Sequence, residues 1–146
     1  KAGFTFFTNY NSRKAQAIEI NPQVTLLFPW YAMERQVSIA GFAEKISRDE
    51  SEEYFATRPW SSQIGAWASA QSAPLASRAE LEERFAGAAA KWPEGTTVPC
   101  PPHWGGYRVT PISIEFWQGR YSRLHDRLRY ERANTHSDWE LNRYYP

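Results

Sequence analysis

The chain has 146 residues, with 17 basic against 16 acidic side chains, a net charge of +1 and one cysteine. That balance excludes a global field for a nucleic-acid polyanion, Cys100 cannot form an internal disulfide, and no Cys/His grouping has zinc spacing, so no metal site is expected. At 42% hydrophobic and 16% aromatic the chain is too apolar to be disordered, yet no apolar run is long enough to cross a bilayer and no signal peptide is evident, so a soluble cytoplasmic protein is expected.

Gly3 to Asn9 reads as a strand whose Phe4 to Thr8 stretch looks buried. A domain rarely opens so directly on its core, and Lys1 is not preceded by methionine, which implies further sequence upstream. Asn11 or Ser12 caps a helix over Arg13 to Ile20, stopped by Asn21-Pro22. Val24 to Trp30 is an apolar run expected to be a strand buried on both faces, ending near Pro29. Arg35 to Ile46 alternates as a second strand, which Gly41 weakens or bulges.

Ser47-x-x-Glu50 is a capping box that opens a helix to about Arg58, before Pro59. Ser61 to Ser72 reads as helix, then loop. A second capping box, Ser77-x-x-Glu80, opens a helix with Leu81, Phe85, Ala88 and Trp92 on one stripe, ended by Pro93. Beyond a Pro-rich loop, Gly105-Gly106 reads as a turn. Strands follow at Tyr107 to Thr110, Ile112 to Gly119, His125 to Arg132 and Trp139 to Tyr145. Strands with irregularly inserted helices predict a mainly β, α+β fold: an antiparallel barrel with peripheral helices, in a single domain over residues 1–146. Neither GxGxxG nor GxxxxGK[ST] occurs.

Three groups of side chains suit an anionic ligand. Arg13 and Lys14 follow Ser12 at a capped helix start, where cations and free N–H groups both favour phosphate; a solvated surface pair has the same spacing. Tyr54 and Arg58 stand four apart on one helical face and Ser62 lies just past the break, a small anion grip or an ordinary amphipathic face. Arg123, His125 and Arg127 alternate with Leu124 and Asp126, which on a strand puts all three on one face; an exposed edge strand fits equally. Gln36, Gln71 and Ser72 are neutral groups suited to the edge of a heterocycle, and Trp117 can stack on a ring or fill a core. Because no nucleophile–base arrangement stands out, any hard chemistry belongs to a bound cofactor.

Together these segments resemble the pyridoxine/pyridoxamine 5'-phosphate oxidases. The resemblance rests on Ile114-Glu115-Phe116-Trp117-Gln118-Gly119 followed by Arg123-Leu124-His125-Asp126-Arg127, on Asn11-Ser12-Arg13-Lys14-Ala15, Phe28-Pro29-Trp30, Glu34-Arg35-Gln36-Val37 and Arg58-Pro59, and on Ser62-Gln63-Ile64-Gly65-Ala66-Trp67 and Trp104-Gly105-Gly106-Tyr107. It implies an FMN-binding split β-barrel working as a homodimer with FMN at the interface, and here lacking the family's N-terminal segment. It also implies oxidation of pyridoxamine or pyridoxine 5'-phosphate to pyridoxal 5'-phosphate, with O2 as acceptor and H2O2 as product. By the same resemblance Phe7, Thr8, Arg13, Lys14, Gln36, Gln71, Ser72, Trp117 and Arg127 hold FMN, some of them from the partner chain. Tyr54, Arg58 and Ser62 grip the substrate phosphate, and Arg123 and His125 lie over its ring as the catalytic pair. The competing expectations are a non-catalytic binder of flavin or pyridoxal phosphate and another split-barrel flavin reductase.

Overall fold

The computed structural model describes residues 3–146. Six strands and four helices are found among them: β1 (Phe4–Asn9), α1 (Arg13–Ile20), β2 (Gln23–Trp30), β3 (Arg35–Lys45), α2 (Arg48–Ala56), α3 (Trp60–Ala68), α4 (Arg78–Lys91), β4 (Trp104–Gln118), β5 (Asp126–Glu131) and β6 (Glu140–Tyr144). The sheet runs β2-β3-β4-β5-β6, with β1 also paired to β4. The β2–β3, β4–β5 and β5–β6 pairs are antiparallel. This is the mainly β, α+β class that the sequence predicts, with helices inserted between strands instead of alternating with them. The described residues divide into two compact units, one strand-rich (Asn21–Glu44 and Arg108–Pro146, with Gly3 and Phe4) and one helix-rich (Thr5–Ile20 and Lys45–Tyr107).

In the strand-rich unit β2 lies at the end of the strand order, and it is not buried on both faces as its apolar run suggests. Leu27, Phe28 and Trp30 are 54%, 42% and 44% exposed. An edge strand has a neighbour on one side alone, so an apolar run there leaves large side chains uncovered within one chain. β3 continues through Gly41 without interruption. A Cβ at Gly41 would come within 2.2 Å of the Thr110 carbonyl oxygen, so the glycine serves close backbone approach and marks no bulge. The two strands expected around Pro111 are one, β4. The Pro111 carbonyl accepts from Arg132 Nε and Nη2 at 2.9 and 2.5 Å, and the Arg132 N–H bonds Ile112 O at 3.0 Å, which keeps β4 paired past the proline. β5 starts at Asp126 and β6 at Glu140, each one residue inside its expected start.

The helix-rich unit follows its local signals closely. Ser47 and Ser77 accept from Glu50 N and Glu80 N at 3.1 Å, so both capping boxes start helices where the sequence puts them, α2 and α4. Phe55, Ile64, Val98 and Trp104 form the core cluster; Phe85, Ala88 and Trp92 of the expected α4 stripe pack against it half-buried. β1 is buried at Thr8 and Asn9 alone, with Phe4 exposed and Phe6 and Phe7 intermediate, so FTFFT is a strand whose burial grows along its length. Gly105-Gly106 is not a turn. Both glycines lie inside β4, where a Cβ on Gly105 would stand 2.2 Å from the Tyr10 hydroxyl oxygen and one on Gly106 2.6 Å from Ile46 Cδ1. The Tyr10 ring is fixed there by its hydroxyl donating to Gly106 O at 3.1 Å. Crowding by neighbours, not a need for positive φ, selects glycine at both positions.

Candidate functional site

The helix-rich unit gathers its polar groups at the start of α1. Ser12 is fully buried and its Oγ accepts from Ala15 N at 3.4 Å, capping the helix. Thr8 Oγ1 donates its one proton to Gln71 Oε1 at 3.0 Å and accepts from Lys14 Nζ at 3.1 Å. Gln71 Oε1 also takes the Asn9 N–H at 3.2 Å. The Gln71 carbonyl is therefore committed inward, and its amide N–H groups are the part left to meet a ligand. Ser72 follows in the left-handed region at φ 72°, a conformation that turns the chain sharply after α3.

A cavity of about 660 Å³ opens beside these groups, lined by Phe7, Thr8, Gln71, Tyr54, Arg58, Ser62 and Trp104 among others. Tyr54 stands near the end of α2, Arg58 two residues past it and Ser62 in the first turn of α3, so the helix–break–helix path delivers all three to one wall. Gln63 holds that break: it is buried, and its Nε2 donates to Phe55 O and Ala56 O at 3.0 and 3.3 Å, satisfying carbonyls that end α2. The Arg58 guanidinium lies 4.8 Å over the Trp104 ring and 5.5 Å over Phe55. Burial holds the guanidinium below its ordinary pKa, and its Nη1 is buried with no hydrogen-bond partner among the described residues. An orphaned donor on a cation at a cavity wall calls for an anion there. Arg13 lines a neighbouring cavity of about 420 Å³ with Gln71, Ser72 and His103, so of the expected flavin residues it stands apart from the Thr8–Lys14 pair.

The strand-rich unit holds the other expected residues. Gln36, Trp117, Arg120 and His125 line a cavity of about 390 Å³. The His125 ring lies 4.7 Å from Trp117 at 43°, and its Nδ1 accepts the Arg120 N–H at 3.1 Å. A ring that accepts at Nδ1 carries its proton, when neutral, on Nε2, so His125 presents a donor to whatever meets it. Arg123, His125 and Arg127 do not share one face of a strand. Arg123 closes a single 3-10 turn (Tyr121–Arg123) at φ 62°, Leu124 and His125 lie between this turn and β5, and of the three only Arg127 belongs to a strand. Gly119 and the left-handed residues after it bend the chain before β5 forms, so period two never applies to Arg123 and His125.

Arg127 is already engaged. Its Nε and Nη2 donate to Glu115 at 3.2 and 2.8 Å, Arg129 donates to the same carboxylate at 2.9 and 2.6 Å, and Arg127 Nη1 reaches Tyr145 O at 3.1 Å. Burial pushes the Glu115 carboxyl up, but the hydrogen bonds from the two guanidiniums outweigh it and hold the group below the usual carboxylate range. Sequence reasoning missed Trp104, Glu115 and Arg120 as site residues. Trp104 left no local signal, because the two glycines after it are crowded by Tyr10, Ile46 and Phe7. Glu115 and Arg120 act through a long-range pair and a backbone N–H, which leave no local pattern.

Among the described residues no helix is long and apolar enough to cross a membrane, and no group of three His, Cys, Asp or Glu side chains is placed to hold a metal ion. Burial pushes the Cys100 thiol up, away from reactivity at neutral pH.

Comparison with known proteins gives a consistent result. Residues 1–91 match the family described as pyridoxamine 5'-phosphate oxidase, and residues 104–146 match the pyridoxine 5'-phosphate oxidase C-terminal dimerisation region. A pyridoxine/pyridoxamine 5'-phosphate oxidase of Streptomyces avermitilis is 54% identical over 99% of this chain and 64% of its own length. One from Frankia alni is 54% identical over 99% of this chain and 60% of its own. The chain thus spans about three-fifths of the length of these curated relatives. Among solved structures, PhzG from Burkholderia lata 383, crystallised in complex with tetrahydrophenazine-1-carboxylic acid, superposes with a TM-score of 0.89 at 32% identity, covering 99% of this chain and 69% of that one. A pyridoxamine 5'-phosphate oxidase-related, FMN-binding protein from Nostoc punctiforme shares the fold at a TM-score of 0.72 and 16% identity, over 97% of this chain and 72% of its own.

Proposed function

The chain belongs to the pyridoxamine 5'-phosphate oxidase family, and from that premise we propose that the protein oxidises pyridoxamine 5'-phosphate or pyridoxine 5'-phosphate to pyridoxal 5'-phosphate, with FMN as cofactor, dioxygen as acceptor and hydrogen peroxide as product. The observation that carries the reading is Arg58: a half-buried arginine whose buried Nη1 has no partner among the described residues, on a cavity wall shared with Tyr54 and Ser62. One guanidinium and two hydroxyls suit a phosphate monoester and give a neutral vitamer nothing to replace it.

The residues present fit FMN. Lys14 and Arg13 at the start of α1 supply positive charge and free N–H groups for its phosphate. In the helix-rich unit the outward amide of Gln71, with Ser72, suits the polar edge of a heterocycle; in the strand-rich unit Gln36 and the Trp117 ring suit such an edge and a flat face. When bound, FMN supplies the acceptor for the hydride equivalent leaving the substrate and hands the electrons to dioxygen.

The chain's own part is positioning. Tyr54, Arg58 and Ser62 fix the substrate phosphate, which sets how far its ring reaches. Arg123 and His125 are assigned to that ring as the pair nearest the reacting carbon. With Nδ1 held by the Arg120 N–H, His125 serves as a hydrogen-bond donor at Nε2 and not as an obligatory base. The protein is proposed to work as a homodimer with FMN at the interface and some flavin contacts supplied by the partner. The uncovered Leu27, Phe28, Trp30 and Phe116 support this, since they give the strand-rich unit an apolar surface to bury, and Phe116 falls in the matched dimerisation region.

The purified protein is expected to show flavin absorbance, to bleach when pyridoxamine 5'-phosphate is added without oxygen, and to release peroxide once air returns. Bleaching by tetrahydrophenazine-1-carboxylic acid but not by pyridoxamine 5'-phosphate would move the reading to the ligand of the Burkholderia lata relative. Flavin uptake with no bleaching by either would leave a binding protein.

A further inference from the structure

Arg48 stands where local physics disfavours it. It is the first residue of α2, and a cation in the first turn opposes the helix dipole. From its spacing it reads as one half of an exposed i, i+4 pair with Glu52, and that pair exists, Nε to Oε1 at 2.6 Å. The rest of the guanidinium leaves the helix. Nη1 donates to Pro101 O at 3.0 Å and to Trp104 O at 3.1 Å, and Nη2 donates to Cys100 O at 2.5 Å. One rigid fork therefore ties down two carbonyls of the loop that leads into β4 and that of Trp104, the first residue of the strand.

That loop ends on Trp104, which is 6% exposed. The indole lies nearly parallel to Phe7, 5.3 Å away at 11°, and to Tyr54, 6.3 Å away at 4°; the Arg58 guanidinium rests 4.8 Å above it. Phe7, Tyr54, Arg58 and Trp104 all line the same cavity. With Nη1 unpartnered among the described residues, Arg58 takes its direction from the two rings beneath it, Trp104 at 4.8 Å and Phe55 at 5.5 Å. The nearer of the two is Trp104, and Arg48 fixes the backbone that carries it.

We propose that Arg48 is a positioning residue for the anion grip: through the Cys100–Trp104 loop it orients the Trp104 face and so aims Arg58, and it thereby sets the preference for phosphorylated over unphosphorylated substrate. This rests on the phosphate reading of the cavity given above. A stabilising role alone makes a different prediction, since a loosened fold penalises both substrates alike.

The test is steady-state kinetics of the FMN-loaded, full-length protein and its Arg48→Ala, Arg48→Lys and Arg58→Ala variants, with pyridoxamine 5'-phosphate and with pyridoxamine. Arg48→Ala is expected to raise KM for the phosphorylated amine roughly tenfold, the low end of what one charge-assisted hydrogen bond is worth. Its kcat stays within about twofold and its kcat/KM for pyridoxamine does not fall, which is the pattern of lost binding common to ground and transition states. Arg48→Lys carries its donors on one atom and cannot span three carbonyls, so it shows the same split at smaller size; it also keeps the test available if the alanine variant does not fold. Equal losses on both substrates, or an unchanged KM in a folded Arg48 variant while Arg58→Ala raises it, overturns the inference alone. An unchanged KM in Arg58→Ala removes the phosphate reading and this inference with it.

Discussion

The two units treat their arginines in opposite ways. In the helix-rich unit Arg58 is half-buried over an aromatic face and its Nη1 has no partner among the described residues, whereas in the strand-rich unit Arg127 is bound in fork geometry by Glu115, which also holds Arg129. The first arrangement stores an unmet demand for an anion; the second spends the same charge within the chain. A guanidinium left unpaired beside a cavity is a binding group by default, because desolvation without compensation is costly. A guanidinium locked to a carboxylate is a rigid fixture, able to offer its remaining edge but little net charge. The strand-rich unit leaves a different demand unmet: uncovered Trp30, Met33 and Phe116, 44%, 50% and 46% exposed, which call for a surface and not an ion.

The contrast can be broken most forcefully at Arg58. Arg58→Ala is expected to raise KM for pyridoxamine 5'-phosphate by about 10- to 100-fold with kcat nearly kept, the loss of one or two charge-assisted bonds to phosphate. Thermal stability should change little, since the removed cation has a desolvated Nη1 without a partner among the described residues but also rests on the Trp104 and Phe55 rings. Steady-state kinetics beside a melting curve checks both, and unchanged affinity takes Arg58 out of the site.

Glu115→Gln probes the opposite behaviour. It removes the charge that both arginines share and is expected to cost about 2 kcal/mol of stability at neutral pH, read by urea unfolding. The pH dependence has a fixed sign. Glu115 is held below its ordinary value of 4.5, so the unfolded chain binds the proton more readily. The pair's contribution is complete above that ordinary value and disappears as pH falls through the lowered one. The gap between the native protein and Glu115→Gln should therefore close on acidification, and a gap constant down to about pH 3 contradicts the assignment.

The smallest effect sharpens the comparison. Arg127→Ala is expected to loosen FMN roughly tenfold, because a fork already held by Glu115 has one edge to give. Flavin titration of the apoprotein measures it, and full flavin retention argues against any contact.

Much of the helix-rich unit was legible in the sequence because its signals are local. Ser47, Ser77 and Ser12 each place a helix start within four residues of chain, and the proximity of Tyr54 to Arg58 follows from helical spacing. The strands were located well, to within a residue at β5 and β6, but not what covers them. Nothing within Val24 to Trp30 tells whether an apolar run lies in the middle of a sheet or at its edge, and Gly105-Gly106 carries the same letters in a turn as beneath the Tyr10 ring.

By itself the sequence determined the fold class, the helix caps and the set of cationic, amide and aromatic side chains from which a phosphate and flavin site can be built, since each follows from backbone propensity or side-chain chemistry. Tertiary structure alone decided that Arg58 stays unpaired while Arg127 does not, that His125 is held at Nδ1 by a backbone N–H, and that Arg123 sits in a turn and not a strand. Those outcomes depend on which distant group arrives at 3 Å, a distance set by packing of the whole chain.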